Sequence, residues 1–303
     1  MVDILIRAGC FIGIILLGYL LKRFGYFKDS DFSVLSKITL RITLPAAIIS
    51  NMSGKGIDTD MLLIPLIALG FNILYILLGF AVSLRKARDE KAFDVLNLPG
   101  YNIGCFTLPF VQSFLGPTGV LTTSLFDVGN SVICVGGAFG IASMVKNGQG
   151  FSLKHLGKSL VTSVPLMCYM FMFLLGLLGV TLPKPVIAFA DVIGAANPFM
   201  AMLMIGVGFK FAANRTQIFS ILRILFLRFG VATILALICY YLFPFPLEMR
   251  QTMVILLFSP IGSAVPAFTH EIKGDVGLSS AINSISIICS LVIIVTLLSV
   301  MLP

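Results

Sequence analysis

Residues 102–109 read "NIGCFTLP", which places a side-chain amide (Asn102), a thiol (Cys105), a hydroxyl (Thr107) and two helix-disturbing positions (Gly104 and Pro109) inside an apolar run. A second stretch, "SPIGSAVP" at 259–266, repeats the theme with Gly262, Ser263 and Pro266. No Ser/His/Asp, paired-carboxylate or metal set accompanies these residues to activate a thiol or hydroxyl; the chemistry they offer is that of holding a ligand. A proline lacks its own N–H and pushes away the carbonyl four residues earlier, so Pro109 is expected to free the carbonyl of Cys105, and Pro266 that of Gly262. The N-termini of the half-helices that follow such breaks carry unpaired N–H donors and partial positive charge, an anion site without a fixed cation. The eight residues named form the candidate substrate-binding set. Asp127 and Asn130 in "LFDVGNS", with Asn283 further on, form a candidate coupling or supporting set. Asp127 is either a group that takes up a proton or cation or a structural carboxylate held by nearby Ser, Thr or Asn groups. Asn130 lies three residues on and shares its helical face.

The elements that must position these groups follow from composition. The chain has 303 residues, 58% of them hydrophobic and 11% charged, with a mean hydropathy of +1.06. A spanning helix needs about 20 apolar residues. The charges cluster so as to leave ten such spans, expected at 4–21, 33–52, 61–84, 96–115, 118–145, 158–181, 185–209, 220–243, 250–272 and 276–302. The fold class is an all-α integral membrane protein, and the spans leave no room for a soluble catalytic domain. Asp3 and Arg7 interrupt the start of the first span and no small-residue cleavage site follows, so it reads as a membrane helix.

Several chemistries are set aside. The six cysteines lie in apolar spans without CxxC spacing and read as packing residues. His155 and His270 fall at loop ends, outside any metal or triad pattern, and no metal, cofactor or catalytic set is expected. No phosphate-binding loop is present, and the aromatics are not interleaved with basic residues, so neither ATP hydrolysis nor nucleic acid is indicated. Asp191, ahead of "NPF", reads as an outer-interface residue.

The net charge of +8 is distributed by side rather than by patch. The odd-numbered connections and adjoining helix ends, including Lys37, Arg41 and Arg228, carry 17 of the 21 Lys and Arg. Arg7, Lys55, Lys184 and Arg250 remain for the other face. The positive-inside rule then places the odd connections in the cytoplasm and both termini outside a cytoplasmic membrane. The polar loop 146–157 divides the chain into a first half, 1–145, and a second, 158–303, of five spans each. A shift of 158 positions aligns Ile103-Gly104 with Ile261-Gly262 and "GPTGV" at 116–120 with "GDVGL" at 274–278, with Pro109 one position out of register with Pro266. An odd number of spans per half inverts the second copy, giving two inverted five-helix repeats with broken fourth and ninth helices.

At these residues the chain resembles the auxin efflux carrier family, which includes plant auxin carriers and bacterial organic-acid carriers. "NIGCFTLPFVQSFLGPTG" reproduces the family's pattern of Asn, six residues, Pro and a Gly-x-x-Gly connection, with Asn102, Pro109, Gly116 and Gly119. "SPIGSAVPAF", "LPAAIIS" and "NPFMAMLMIGVGF" resemble further signatures. The resemblance implies a secondary transporter in which helices 4 and 9 unwind and cross. Helices 1, 2, 6 and 7 would form a scaffold, and helices 3–5 and 8–10 a moving, elevator-like part. It implies that Asn102 contacts a small organic-anion substrate, a carboxylate, dicarboxylate or auxin-like weak acid, and that the scaffold offers a homodimer contact. The plant carriers have ionisable residues in helix 3, where this chain has only Asn72, so proton and sodium coupling both remain open. The rival readings are a sodium-coupled carrier of the bile acid symporter type, a membrane sensor that does not transport, and an intramembrane enzyme, for which no catalytic set is visible.

Overall fold

The computed structural model describes residues 2–148, 153–210 and 217–302. Residues 149–152 of the connecting loop, Arg215 and the side chains of Asp3 and His155 lie outside the described residues. Among those described there is no strand, and helices follow one another throughout. In chain order they are α1 (Val2–Arg23), α2 (Asp31–Met52), α3 (Thr59–Val82), α4 (Arg88–Asn97), α5 (Ile103–Phe114) and α6 (Pro117–Asn147). Then come α7 (Leu153–Thr162), α8 (Val164–Leu177), α9 (Lys184–Gly208), α10 (Ile218–Leu242), α11 (Leu247–Leu257), α12 (Val265–Glu271) and α13 (Val276–Met301).

Seven of these, α1, α2, α3, α6, α9, α10 and α13, are long and apolar enough to cross a membrane, and α7 with α8 makes an eighth bent by 76°. The expected fourth and ninth spans each fall into two pieces too short to cross alone. The fourth differs most from the sequence reading. Its first piece begins at Arg88 rather than 96 and carries "RDEKAFDVLN", a charged start that hydropathy assigns to a loop. Asp94 in this piece is buried. It accepts from Arg223 Nη1 at 3.0 Å and Nη2 at 2.6 Å and from Lys86 at 3.1 Å. A two-pronged guanidinium contact makes such a burial tolerable.

Proline placement explains two of the irregular turns. Thr39–Thr43 and Ile103–Thr107 are wide π-type turns, each leading into a helix with Pro45 or Pro109 in its first turn. A widened turn ahead of a proline accommodates the missing N–H and the ring without ending the helix. The departure from α geometry therefore lies on the N-terminal side of Pro109. Close helix contacts rest on small residues: α1 and α9 meet where a Cβ on Gly18 would stand 2.6 Å from the Leu203 carbonyl, and one on Gly206 would overlap the Ile15 carbonyl. Backbones approach so closely only where side chains are absent.

Candidate functional site

Both interrupted segments break for local reasons, and the breaks meet. After α4 the chain runs through Leu98, Pro99 and Gly100; Gly100 has φ +86°, which a side chain would strain, and a Cβ there would stand 3.0 Å from Cys134 Sγ. The second break spans 258–264, with Pro260 and Gly262 preventing regular helix. The Asn102 N–H donates to the Pro260 carbonyl at 2.9 Å. The Thr107 and Ser259 hydroxyls are 2.6 Å apart.

Backbone groups freed at a break inside apolar surroundings must find partners. At the first break, side chains of α3 and α6 supply them. Asn130 accepts from the Tyr101 N–H at 3.0 Å and donates to the Tyr101 carbonyl at 2.8 Å and to Asp127 Oδ1 at 2.8 Å. Asn72 accepts from the Gly100 N–H at 2.7 Å and donates to Asn130 at 3.3 Å. At the second break α13 plays this part: Asn283 donates to the carbonyls of Ile261 at 3.0 Å and Gly262 at 3.2 Å, and the Ile261 N–H donates to Ser286 at 3.2 Å. The Gly262 carbonyl, expected to be free, thus accepts from Asn283 and from the Val265 N–H at 3.1 Å. Pro266 stands in the first turn of α12, after the irregular stretch rather than within it.

The Asn102 side-chain nitrogen is not tied into this network. The residue is 5% exposed, and that nitrogen has no hydrogen-bond partner. Nearly all buried polar groups are bonded, and beside Asn102 the Tyr101 hydroxyl is also without a partner. Asn102 faces two cavities. One, of about 270 Å³, is bordered by Asn102, Gly104, Cys105, Asp127, Gly262 and Ser263, with Asn130 also on its wall. The other, of about 250 Å³, has Asn102, Ser263, Pro266 and Asn283 on its wall and Lys22, Asp29, Lys210 and His270 among the residues around it. Asn102 and Ser263 border both. Thr107 and Pro109 border neither; Thr107 acts by joining the two breaks, and Pro109 by shaping α5.

The charges are unevenly placed. Asp127 is 5% exposed and sits at the first cavity, in electrostatic contact with the buried Tyr169. Lys22 lies 2.7 Å from Asp29 and, with Lys210, holds that carboxyl below the usual range. That exposed pair adds little stability but leaves Lys210 and His270 beside a largely neutralised carboxylate. Asp191 is exposed and accepts from Ser50 at 2.5 Å, bridging α9 to α2. Among the described residues no cluster of His, Cys, Asp and Glu could hold a metal ion.

Arg228 corrects the sequence reading. Counted there as a helix-end cation, it is instead in the middle of α10, wholly buried and aimed at the junction. Its guanidinium donates to the carbonyls of Leu98 at 2.6 Å, Gly100 at 2.7 Å, Ser259 at 3.0 Å and Pro260 at 3.3 Å. An arginine inside the apolar run "ILFLRFGVATILALICYYL" was the available signal.

Residues 11–298 match the model of a family described as "Membrane transport protein". An "Uncharacterized transporter" of Methanothermobacter thermautotrophicus is 23% identical over 285 residues, covering 92% of each chain.

Proposed function

Because the chain belongs to the membrane transport protein family, the auxin efflux carriers, we propose that it is a secondary carrier of a small organic anion across the cytoplasmic membrane. One observation carries the reading: the buried, unpartnered amide of Asn102 at the contact between two broken helices, bordering a cavity on either side. An amide donor and helix N-termini suit a carboxylate, and a site reached by two cavities suits alternating access. Asp127 at the first cavity is the candidate to take up a proton or cation in one step.

The proposed architecture is ten crossings in two inverted five-helix repeats, 1–145 and 158–303, joined by 146–157, with both termini outside. The shift of 158 positions supports it. Applied to α4 (Arg88–Asn97) it gives 246–255, close to α11 (Leu247–Leu257). Applied to Leu108–Phe114 of α5 it gives 266–272, close to α12 (Val265–Glu271). It also pairs Asn102 with Pro260, which are hydrogen-bonded. In this reading α1, α2 and α7–α9 are the scaffold, and the remaining helices move against it.

The test is flux into proteoliposomes of labelled malonate, malate and indole-3-acetate under imposed voltage, proton and sodium gradients. Uptake of at least one acid, lost in Asn102→Ala, is expected. Specific binding with no flux under any gradient would replace the carrier by a sensor of the same fold, and an absolute sodium requirement would replace the proposed coupling.

A further inference from the structure

Arg228 shares the closing of the two breaks with Asn72, Asn130, Asn283 and Ser286, holding the carbonyls of Leu98, Gly100, Ser259 and Pro260, which those four do not touch. Its distinguishing property is charge. Five residues earlier in the same helix, Arg223 has the Asp94 carboxylate in a two-pronged contact. Arg228 has only carbonyl dipoles and the faces of Tyr75 and Tyr101, whose ring centres lie 5.5 and 5.1 Å from its guanidinium carbon. Among the described residues no carboxylate is within ion-pair distance of it, and its Nε has no partner. Carbonyl oxygens and ring faces solvate a cation but leave its net charge in place.

That charge bears on the site described above. The Pro260 carbonyl accepts both from Arg228 Nη2 at 3.3 Å and from the Asn102 N–H at 2.9 Å. On the other strand of the junction Arg228 holds the Gly100 carbonyl, two residues before Asn102. One oxygen atom therefore separates the buried cation from the backbone of the residue with the bare amide. In surroundings of low dielectric a fixed unit charge at such range is comparable to the partial charges of two half-helix ends together, about half a unit each, and adds to them.

We infer that Arg228 is the fixed cation that makes this site select anions, acting through the peptide groups it holds rather than by touching the ligand. The inference rests on the anion-carrier reading and adds to it the source of the charge preference. As a positioning residue Arg228 has two separable parts, a fork that ties carbonyls and a charge that sets selectivity. Arg228→Gln keeps donors and removes the charge, whereas Arg228→Lys keeps the charge and removes the fork.

The experiment compares binding of malonate and indole-3-acetate with that of their neutral amides, malonamide and indole-3-acetamide, to purified full-length protein in lipid nanodiscs. Wild-type protein is expected to favour acid over amide at least tenfold, about 1.4 kcal/mol. In Arg228→Gln that ratio collapses to about threefold or less, and in Arg228→Lys it persists although the thermal midpoint falls. A folded Arg228→Gln protein with the wild-type ratio overturns the inference while leaving the carrier reading standing. So does a wild-type protein that binds acid and amide alike. Should Arg228→Gln not fold, Arg228→Lys decides: a retained ratio supports the charge role, and a lost one overturns it. Wild-type protein that binds neither acid removes the anion reading itself.

Discussion

The two breaks are built to the same plan and end in different chemistry. At each, an asparagine from the long helix that follows holds the unwound backbone, Asn130 for the first and Asn283 for the second. The first break adds a carboxylate, Asp127, bonded to its asparagine, and leaves the Asn102 amide unpartnered. The second contains no ionisable side chain between 258 and 264 and leaves no buried side-chain polar atom orphaned there. In the proposed carrier this difference divides a near-symmetric junction: the first break would bind and respond, and the second would shape and support.

The sharpest way to break this comparison is to remove each holding asparagine. Asn130→Ala strips partners from the N–H and carbonyl of Tyr101 and from Asp127, all in a buried setting. The expected cost is about 3 kcal/mol of stability. Asn283→Ala orphans chiefly the Ile261 carbonyl, because Gly262 keeps the Val265 N–H, and is expected to cost about 1 kcal/mol. Thermal midpoints of the two variants in one detergent measure the difference. Equal midpoints would mean that the two breaks are held equally.

Next in size is the ligand itself. Asn102→Ala removes a buried donor that no protein group uses, so stability should change little. Affinity for the transported acid should fall about thirtyfold, near 2 kcal/mol at the site. Ser263→Ala, on the same two cavities from the second break, should cost less than threefold. Affinities measured on the purified proteins decide it, and a larger loss in Ser263→Ala would reverse the assignment of the two halves.

Asp127 separates response from binding. Asp127→Asn preserves an acceptor for the Asn130 amide while removing the ability to carry charge. Uptake by the variant should lose most of its dependence on an imposed proton gradient, with affinity falling less than about tenfold. Asn283→Ala should keep the wild-type gradient dependence. Gradient dependence that survives in Asp127→Asn would make Asp127 structural and leave only Asn102 to distinguish the first break.

The legibility of these features in the sequence follows the range of the interactions concerned. Asn102 and the paired prolines stand out because polar and helix-breaking residues are anomalous in an apolar run, and that anomaly is local. Arg228 was misplaced, and Asp94 drew no notice, because their meaning depends on partners far along the chain: Arg228 bonds to residues 31 to 130 positions away, and Asp94 to Arg223, 129 positions away. Charge counting by loop assigns such residues to water, since burial is intelligible only once the partner is known. The same effect displaced the start of the fourth span, whose first piece is charged yet packed. The breaks themselves lie on the N-terminal side of Pro109 and Pro266 because a proline is readily accommodated in a first helical turn, so the proline marks where the helix resumes.

The smallest expected effect concerns how the first break is closed off on one side. The turn at 113–117, between α5 and α6, is held by Arg7, which donates to the Ser113 carbonyl at 3.3 Å, and by Lys55, which donates to the Pro117 carbonyl at 3.3 Å. Phe11 packs edge-on against Phe110 nearby, with ring centres 4.9 Å apart. These contacts join the proposed scaffold to the proposed moving part, and the two cavities lie elsewhere. Burial pushes the Lys55 ammonium below its ordinary range, so part of its bond to Pro117 offsets lost hydration, and the net contribution of each cation is about 0.5 kcal/mol. Lys55→Ala and Arg7→Ala should each raise the alkylation rate of Cys105, at the first cavity, about twofold when a membrane-impermeant reagent is applied from the outer side in protein lacking the other cysteines. A doubled rate would mark this turn as the closed outer side of an alternating-access cycle. An unchanged rate in the double variant would mean that the junction, with Arg228 at its centre, holds the moving part in place without them.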